Sequence, residues 1–136
     1  SRIVELDGKK LLDGGVCDSI PIRKFQSMGY ARNIVVLTQY GGYRKQKSAS
    51  LPLIRARSHA YPRFVEKMED RHLRYNDTLD LLNEEEKKGN VLIIRPKKPV
   101  NISRLEKNVE KLQALYDEGY ADTAGMIQDI RAFLAG

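Results

Sequence analysis

The 136 residues, 41% of them hydrophobic, suit one compact domain or a piece of a larger one, with no run near the roughly 18 apolar residues of a membrane span and no secretory-signal pattern. Cys17 is the single cysteine, which excludes an internal disulfide and a thiolate metal cluster and fits a reducing compartment. The balance of 24 Lys and Arg against 18 Asp and Glu, net +6, favours anionic partners without choosing between nucleic acid and acidic lipid headgroups.

Opening on Ser1 and entering a strand-like run at once, the chain is expected to be cut from a longer protein. Residues 3–6 are β-prone, Asp7-Gly8 is a hairpin-turn dipeptide, and residues 10–12 return before Asp13-Gly14-Gly15 breaks the chain again. A short amphipathic helix is expected next. Its signals are a cap at Asp18 or Ser19, Pro21 in the first turn, Ile22, Phe25 and Met28 at three-residue spacing, and a stop at Gly29.

The unbroken run Ile34-Val35-Val36-Leu37 predicts a strand covered on both faces, in a parallel sheet whose other strands are expected upstream. Residues 40–50 turn to Gly, Tyr, Lys, Gln and Ser, the composition of a loop and of an internal boundary. Beyond it, Tyr61, Val65, Met68, His72, Tyr75, Leu79 and Leu82 alternate four- and three-residue steps, which predicts one long helix from Pro62 to the stop at Gly89-Asn90. Residues 91–94 predict a second apolar strand before Pro96. A helix capped by Asn108 is expected to end at Gly119, and Met126, Ile127, Ile130, Phe133 and Leu134 mark a final one.

The segment Asp13-Gly14-Gly15 places a carboxylate at a strand end where glycines permit sharp turning. Taken alone it is more often a plain turn in which Asp accepts local N–H bonds. Among the other groups, His72 lies on the apolar stripe and is expected to be a hydrogen-bonded core histidine, and His59, near Arg55 and Arg57, a solvated one. With two histidines and one cysteine far apart, no metal site is expected, and neither a Walker loop nor a dinucleotide fingerprint is present. Tyr40, Tyr43, Arg44, Lys45 and Lys47 interleave rings and cations, which suits a solubilising loop, stacked bases or an anionic membrane surface.

Read as a longer string, Asp13-Gly14-Gly15 followed by Asp18-Ser19-Ile20-Pro21 resembles bacterial patatin-like phospholipases. Further carriers of that resemblance are Val35-Val36-Leu37-Thr38 with Gly42-Tyr43-Arg44-Lys45, Arg71-His72 with Arg74-Tyr75-Asn76 and Thr78-Leu79, Ile94-Arg95-Pro96 with Lys98-Pro99, and Arg104-Leu105-Glu106-Lys107 through Leu115-Tyr116 to Gly119-Tyr120. The resemblance implies an α/β fold. Residues 1–40 would be the C-terminal end of a patatin-like hydrolase sheet, and residues 41–136 a mainly helical extension with one added strand.

It also implies a function, that of a lipid acyl hydrolase cleaving carboxylic esters with a Ser-Asp dyad and no cofactor. Asp13 would be the base, and Gly14 and Gly15 would allow close approach. The serine would lie in an upstream catalytic half, because no serine here has the flanking glycines of a Gly-x-Ser-x-Gly elbow; Ser27 has Gly29 after it but Phe25 before it. The 136 residues alone are therefore expected to be inactive. The implied substrate is a lipid ester, the implied location cytoplasmic with peripheral membrane contact through Arg44, Lys45 and Lys47, and nucleic acid is the less favoured partner. A noncatalytic basic module binding nucleic acid or anionic membranes through residues 40–47 and 95–98 is the rival reading.

Overall fold

In the computed structural model, which describes residues 3–103 and 105–136, strands β1 (Val4–Leu6) and β2 (Lys9–Leu11) pair antiparallel with Val4 opposite Leu11 and Leu6 opposite Lys9. The turn between them has φ of 50° at Asp7 and 71° at Gly8. Two successive left-handed residues give the twist that matches a two-residue hairpin, which is why Asp-Gly serves there. Ser1, Arg2 and Arg104, the last of which opens one of the strings quoted above, lie outside the described residues.

A single 3-10 turn over Gly14–Val16 leads to helix α1 (Ile22–Ser27). Neither Asp18 nor Ser19 caps that helix. Pro21 occupies the cap position without a side-chain bond, while Asp18 accepts from the Ile20 N–H at 3.2 Å and the Ser19 hydroxyl donates back to the Gly15 carbonyl at 2.7 Å. Gly29, at φ 92°, ends the helix as its sequence position suggests.

Strand β3 (Asn33–Val36) pairs in parallel with β4 (Val91–Ile94), Asn33 opposite Val91 and Val36 opposite Ile94. The partner of β3 thus comes from downstream in this chain, where the sequence reading looked upstream. The two hairpin strands pair only with each other, so the described strands make two separate two-stranded sheets. A parallel pair needs a long connection. Here it carries α2 (Leu51–Arg57), α3 (Pro62–Glu69) and α4 (Arg71–Lys87).

The expected single helix is divided at Asp70, whose N–H still bonds the Glu66 carbonyl while its own carbonyl starts the next helix by accepting from Arg74 N–H at 3.1 Å. Asp competes for backbone bonds and favours such ends. Gly89, at φ 76°, closes the stretch after α4. Helix α5 runs from Val109 to Gly125, started by the Asn108 side chain accepting from Lys111 N–H, and α6 covers Ile127–Ala135. Gly119 does not stop α5. A glycine permits a left-handed stop but does not demand one, and Gly119 is not among the described glycines of positive φ.

The architecture is mixed α and β, predominantly helical with two small sheets. It divides into two compact units, one of Ser1–Tyr30 with Arg44–Asn83, the other of Ala31–Tyr43 with Glu84–Gly136. In the first, Ile22, Leu51, Leu79 and Leu82 are the buried apolar side chains; in the second they are Leu37, Val91 and Ile93. Burial of each such side chain contributes about 1.5–3 kcal/mol. Among the described residues no helix is long and apolar enough to cross a membrane.

Candidate functional site

The Asp13 turn is built from its own backbone and then gripped by α4. The Asp13 carbonyl accepts from Val16 N–H and the Gly14 carbonyl from Cys17 and Asp18 N–H, which winds the 3-10 turn. Asp13 Oδ1 accepts from the Gly15 N–H at 2.8 Å. The Gly15 carbonyl in turn accepts from Arg71 Nε at 2.9 Å, and Arg74 Nη2 donates to the Lys67 carbonyl at 2.5 Å and, more weakly, to the Val16 carbonyl at 3.4 Å. Two arginines one helical turn apart on α4 therefore hold the backbone that carries the carboxylate.

The two glycines differ in what surrounds them. A methyl group on Gly15 would lie 3.2 Å from Asp13 Oδ1 and 3.7 Å from Arg71 Nη2, whereas nothing comes within 4 Å of the same position on Gly14. Asp13 itself is exposed, and its second carboxylate oxygen makes no hydrogen bond among the described residues.

No serine or histidine among the described residues bonds Asp13. The Ser27 hydroxyl donates to the Lys24 carbonyl, and exposed His59 pairs its Nδ1 with the Ala56 carbonyl at 3.3 Å. His72 Nδ1 is enclosed without a protein partner, contrary to the hydrogen-bonded core histidine expected from its position. No group of three His, Cys, Asp or Glu among the described residues is placed to hold a metal ion.

Two cavities lie within the first unit. A small one of about 20 Å³, on the order of one water, lies among Cys17, Ser19, Arg71, Arg74 and Tyr75. The larger is a trough of about 520 Å³ with Ile3, Leu12, Tyr61, Pro62 and Phe64 in its walls and Lys10, Arg57 and Arg63 beside them. Leu12 of the trough wall precedes Asp13 in the chain, and Asp13 itself does not line the trough. Lys10 Nζ donates to the Tyr61 hydroxyl at 3.3 Å and lies 5.7 Å from that ring's centroid. Sequence reading missed this trough, whose only local signal is the closeness of Arg57, Tyr61 and Arg63 in the chain.

Arg44 and Lys45 of the glycine-tyrosine segment are engaged on α4. Arg44 forms an ion pair with Asp80 at 2.5 Å and bonds the Asn76 carbonyl, and Lys45 Nζ stands 5.1 Å from the Tyr75 ring centroid. Glu69 has its carboxyl held below the usual range chiefly by the hydrogen bond from Arg55, with Lys47 adding a smaller attraction. In the second unit, Arg95 pairs with Glu86 at 2.9 Å and Lys97 with Asp122 at 2.7 Å. That unit has its own cavity of about 210 Å³ at the carboxyl ends of β3 and β4, between Val36, Ile94, Leu115 and Thr123.

Fold and site together define a small mixed α/β protein with a clamped carboxylate turn and an apolar trough edged with cations. The chain belongs to the family described as a domain of unknown function, DUF6363, which matches residues 61–135, just over half of the chain. That finding corrects the resemblance to patatin-like phospholipases, since no match to that family accompanies it. Curated proteins give no match to the chain, and neither do solved structures.

Proposed function

We propose that this chain is the lipid-facing part of a serine-dependent acyl hydrolase, supplying Asp13 as the base while the nucleophilic serine comes from polypeptide outside these residues. A serine hydroxyl is a weak nucleophile near neutral pH, so a carboxylate must take its proton as the oxygen attacks the ester carbonyl. The alcohol of the lipid then leaves with a proton, and water releases the acyl group in a second, equivalent step.

The observation that carries this reading is the state of Asp13. One oxygen is fixed by the Gly15 N–H, the turn behind it is braced by Arg71, and the other oxygen is without a hydrogen bond at an exposed position, in a residue that follows Leu12 of the trough wall in the chain. A carboxylate held in one orientation suits proton acceptance better than a mobile one. The rival reading, a basic module for nucleic acid, has less support, because Arg44, Arg95 and Lys97 are already paired with carboxylates. Those pairs lower the net cation count offered to phosphates.

The test is turnover of a short-chain nitrophenyl ester by the longer protein that carries this segment, compared with its Asp13→Asn variant. Asn can still accept the Gly15 bond, so folding should be retained, while a base worth about 10²–10⁴-fold in rate is lost. Equal turnover in the two proteins overturns the proposal. The 136 residues alone should release no nitrophenol.

A further inference from the structure

The trough in the first unit carries no assigned role, and its chemistry is specific enough to name a ligand. Its walls are apolar where Ile3, Leu12, Pro62 and Phe64 contribute, and its volume of about 520 Å³ falls in the range of roughly 300–1,000 Å³ usual for small-molecule sites. Among the described residues no carboxylate lines it. Three cations do, from three different elements: Lys10 on β2, Arg57 at the end of α2 and Arg63 in the first turn of α3.

These cations differ from three arginines of this unit that are neutralised by carboxylates. Arg23, Arg44 and Arg55 each face a carboxylate, whereas Arg57, Arg63 and Lys10 have no ion-pair partner among the described residues. Lys10 is instead turned onto Tyr61 by its bond to the phenol oxygen, which places its charge over the trough wall. Unneutralised guanidinium groups beside an apolar hollow match an anionic head on a hydrocarbon tail, because the fork of an arginine fits carboxylate and phosphate oxygens alike.

We propose that the trough binds a single-chain anionic amphiphile, its acyl chain lying against Leu12, Pro62 and Phe64 and its carboxylate or phosphate head meeting Lys10, Arg57 and Arg63. The site stands on the trough and its cations, and does not require Asp13 to act as a base. If Asp13 does act, the same molecule has the chemistry of a substrate or product of that reaction.

The test is equilibrium binding to the 136-residue chain, titrated below micelle formation with oleate, with an 18:1 lysophosphatidic acid and with oleyl alcohol. Both anions should bind at least tenfold more tightly than the alcohol and compete with each other. Preference for oleate assigns the head to a free fatty acid, and preference for the phosphate to a lysolipid. The double variant Arg57→Gln with Arg63→Gln should weaken the anions at least tenfold and leave the alcohol unchanged, with its circular dichroism melt showing that it folds.

Should that variant fail to fold, salt reports on the same charges, since raising ionic strength should weaken oleate and spare the alcohol. Alcohol binding as tightly as the anions, or anion binding indifferent to salt and to both substitutions, overturns the proposal. So does the absence of binding by either anion. Hydrolysis is not read in any arm, so loss of the hydrolase reading leaves this result standing.

Discussion

Asn76 and Lys45 exchange two hydrogen bonds across 31 residues, the Lys45 N–H donating to Asn76 Oδ1 at 2.8 Å and Asn76 Nδ2 donating to the Lys45 carbonyl at 3.1 Å. The side-chain amide imitates a strand neighbour and fixes a segment that has no secondary structure of its own. Asn76→Ala should therefore lower stability by about 1–3 kcal/mol, since a half-buried donor and acceptor both lose their partner. Chemical denaturation measures this, and limited proteolysis should show new cutting within residues 44–50. Replacing exposed Asp77 by Ala, one position along, should leave that segment protected.

Leu82 is fully buried, at 0% exposure, whereas Leu105 is 86% exposed. The same Leu→Ala change should cost about 2–5 kcal/mol at the first site and lie within about 0.5 kcal/mol of zero at the second. Urea midpoints of the two variants, at matched slope, decide it.

Backbone conformation separates two glycines in a similar way. Gly89 has φ of 76°, and Gly14 has both an ordinary φ and open space around it. Gly89→Ala is expected to destabilise by about 1–2 kcal/mol and Gly14→Ala by less than about 0.5 kcal/mol. Thermal melts followed by circular dichroism provide the comparison.

The Arg55–Glu69 pair predicts a pH dependence. Folding lowers the Glu69 carboxyl from its ordinary value of 4.5, first through the hydrogen bond from Arg55. The charged form is thus favoured in the folded state, so the contribution is complete above that ordinary value and disappears as pH falls through the lower folded one. Glu69→Gln should be less stable than the parent at neutral pH, by a small margin because the pair is exposed, and the two should converge in acid. Denaturant midpoints recorded from neutral pH downward test the direction.

The hairpin, β4 and the start of α5 are legible in the chain because each depends on local demands: Asp-Gly for left-handed backbone, apolar β-branched residues bounded by turns, an Asn to receive an orphan N–H. Helix α2 is not foreseen, since residues 51–57 follow a polar stretch and bury only Leu51. The break at Asp70 and the continuation through Gly119 are also hidden, because periodicity reports which face is apolar and not where backbone bonds change partner.

At the candidate site, the Asp13 turn is visible in the sequence, but its brace is not. Arg71 lies 56 residues away from Gly15 in the chain, and no spacing rule links them. What the sequence determined by itself was local: periodicity, glycine and proline positions, and the net charge are set by neighbours in the chain. Tertiary structure alone decided that β3 pairs with β4, that Arg44 meets Asp80 and Lys97 meets Asp122, and that Lys10 joins Arg57 and Arg63 at an apolar trough, because these are distances between residues far apart along the backbone.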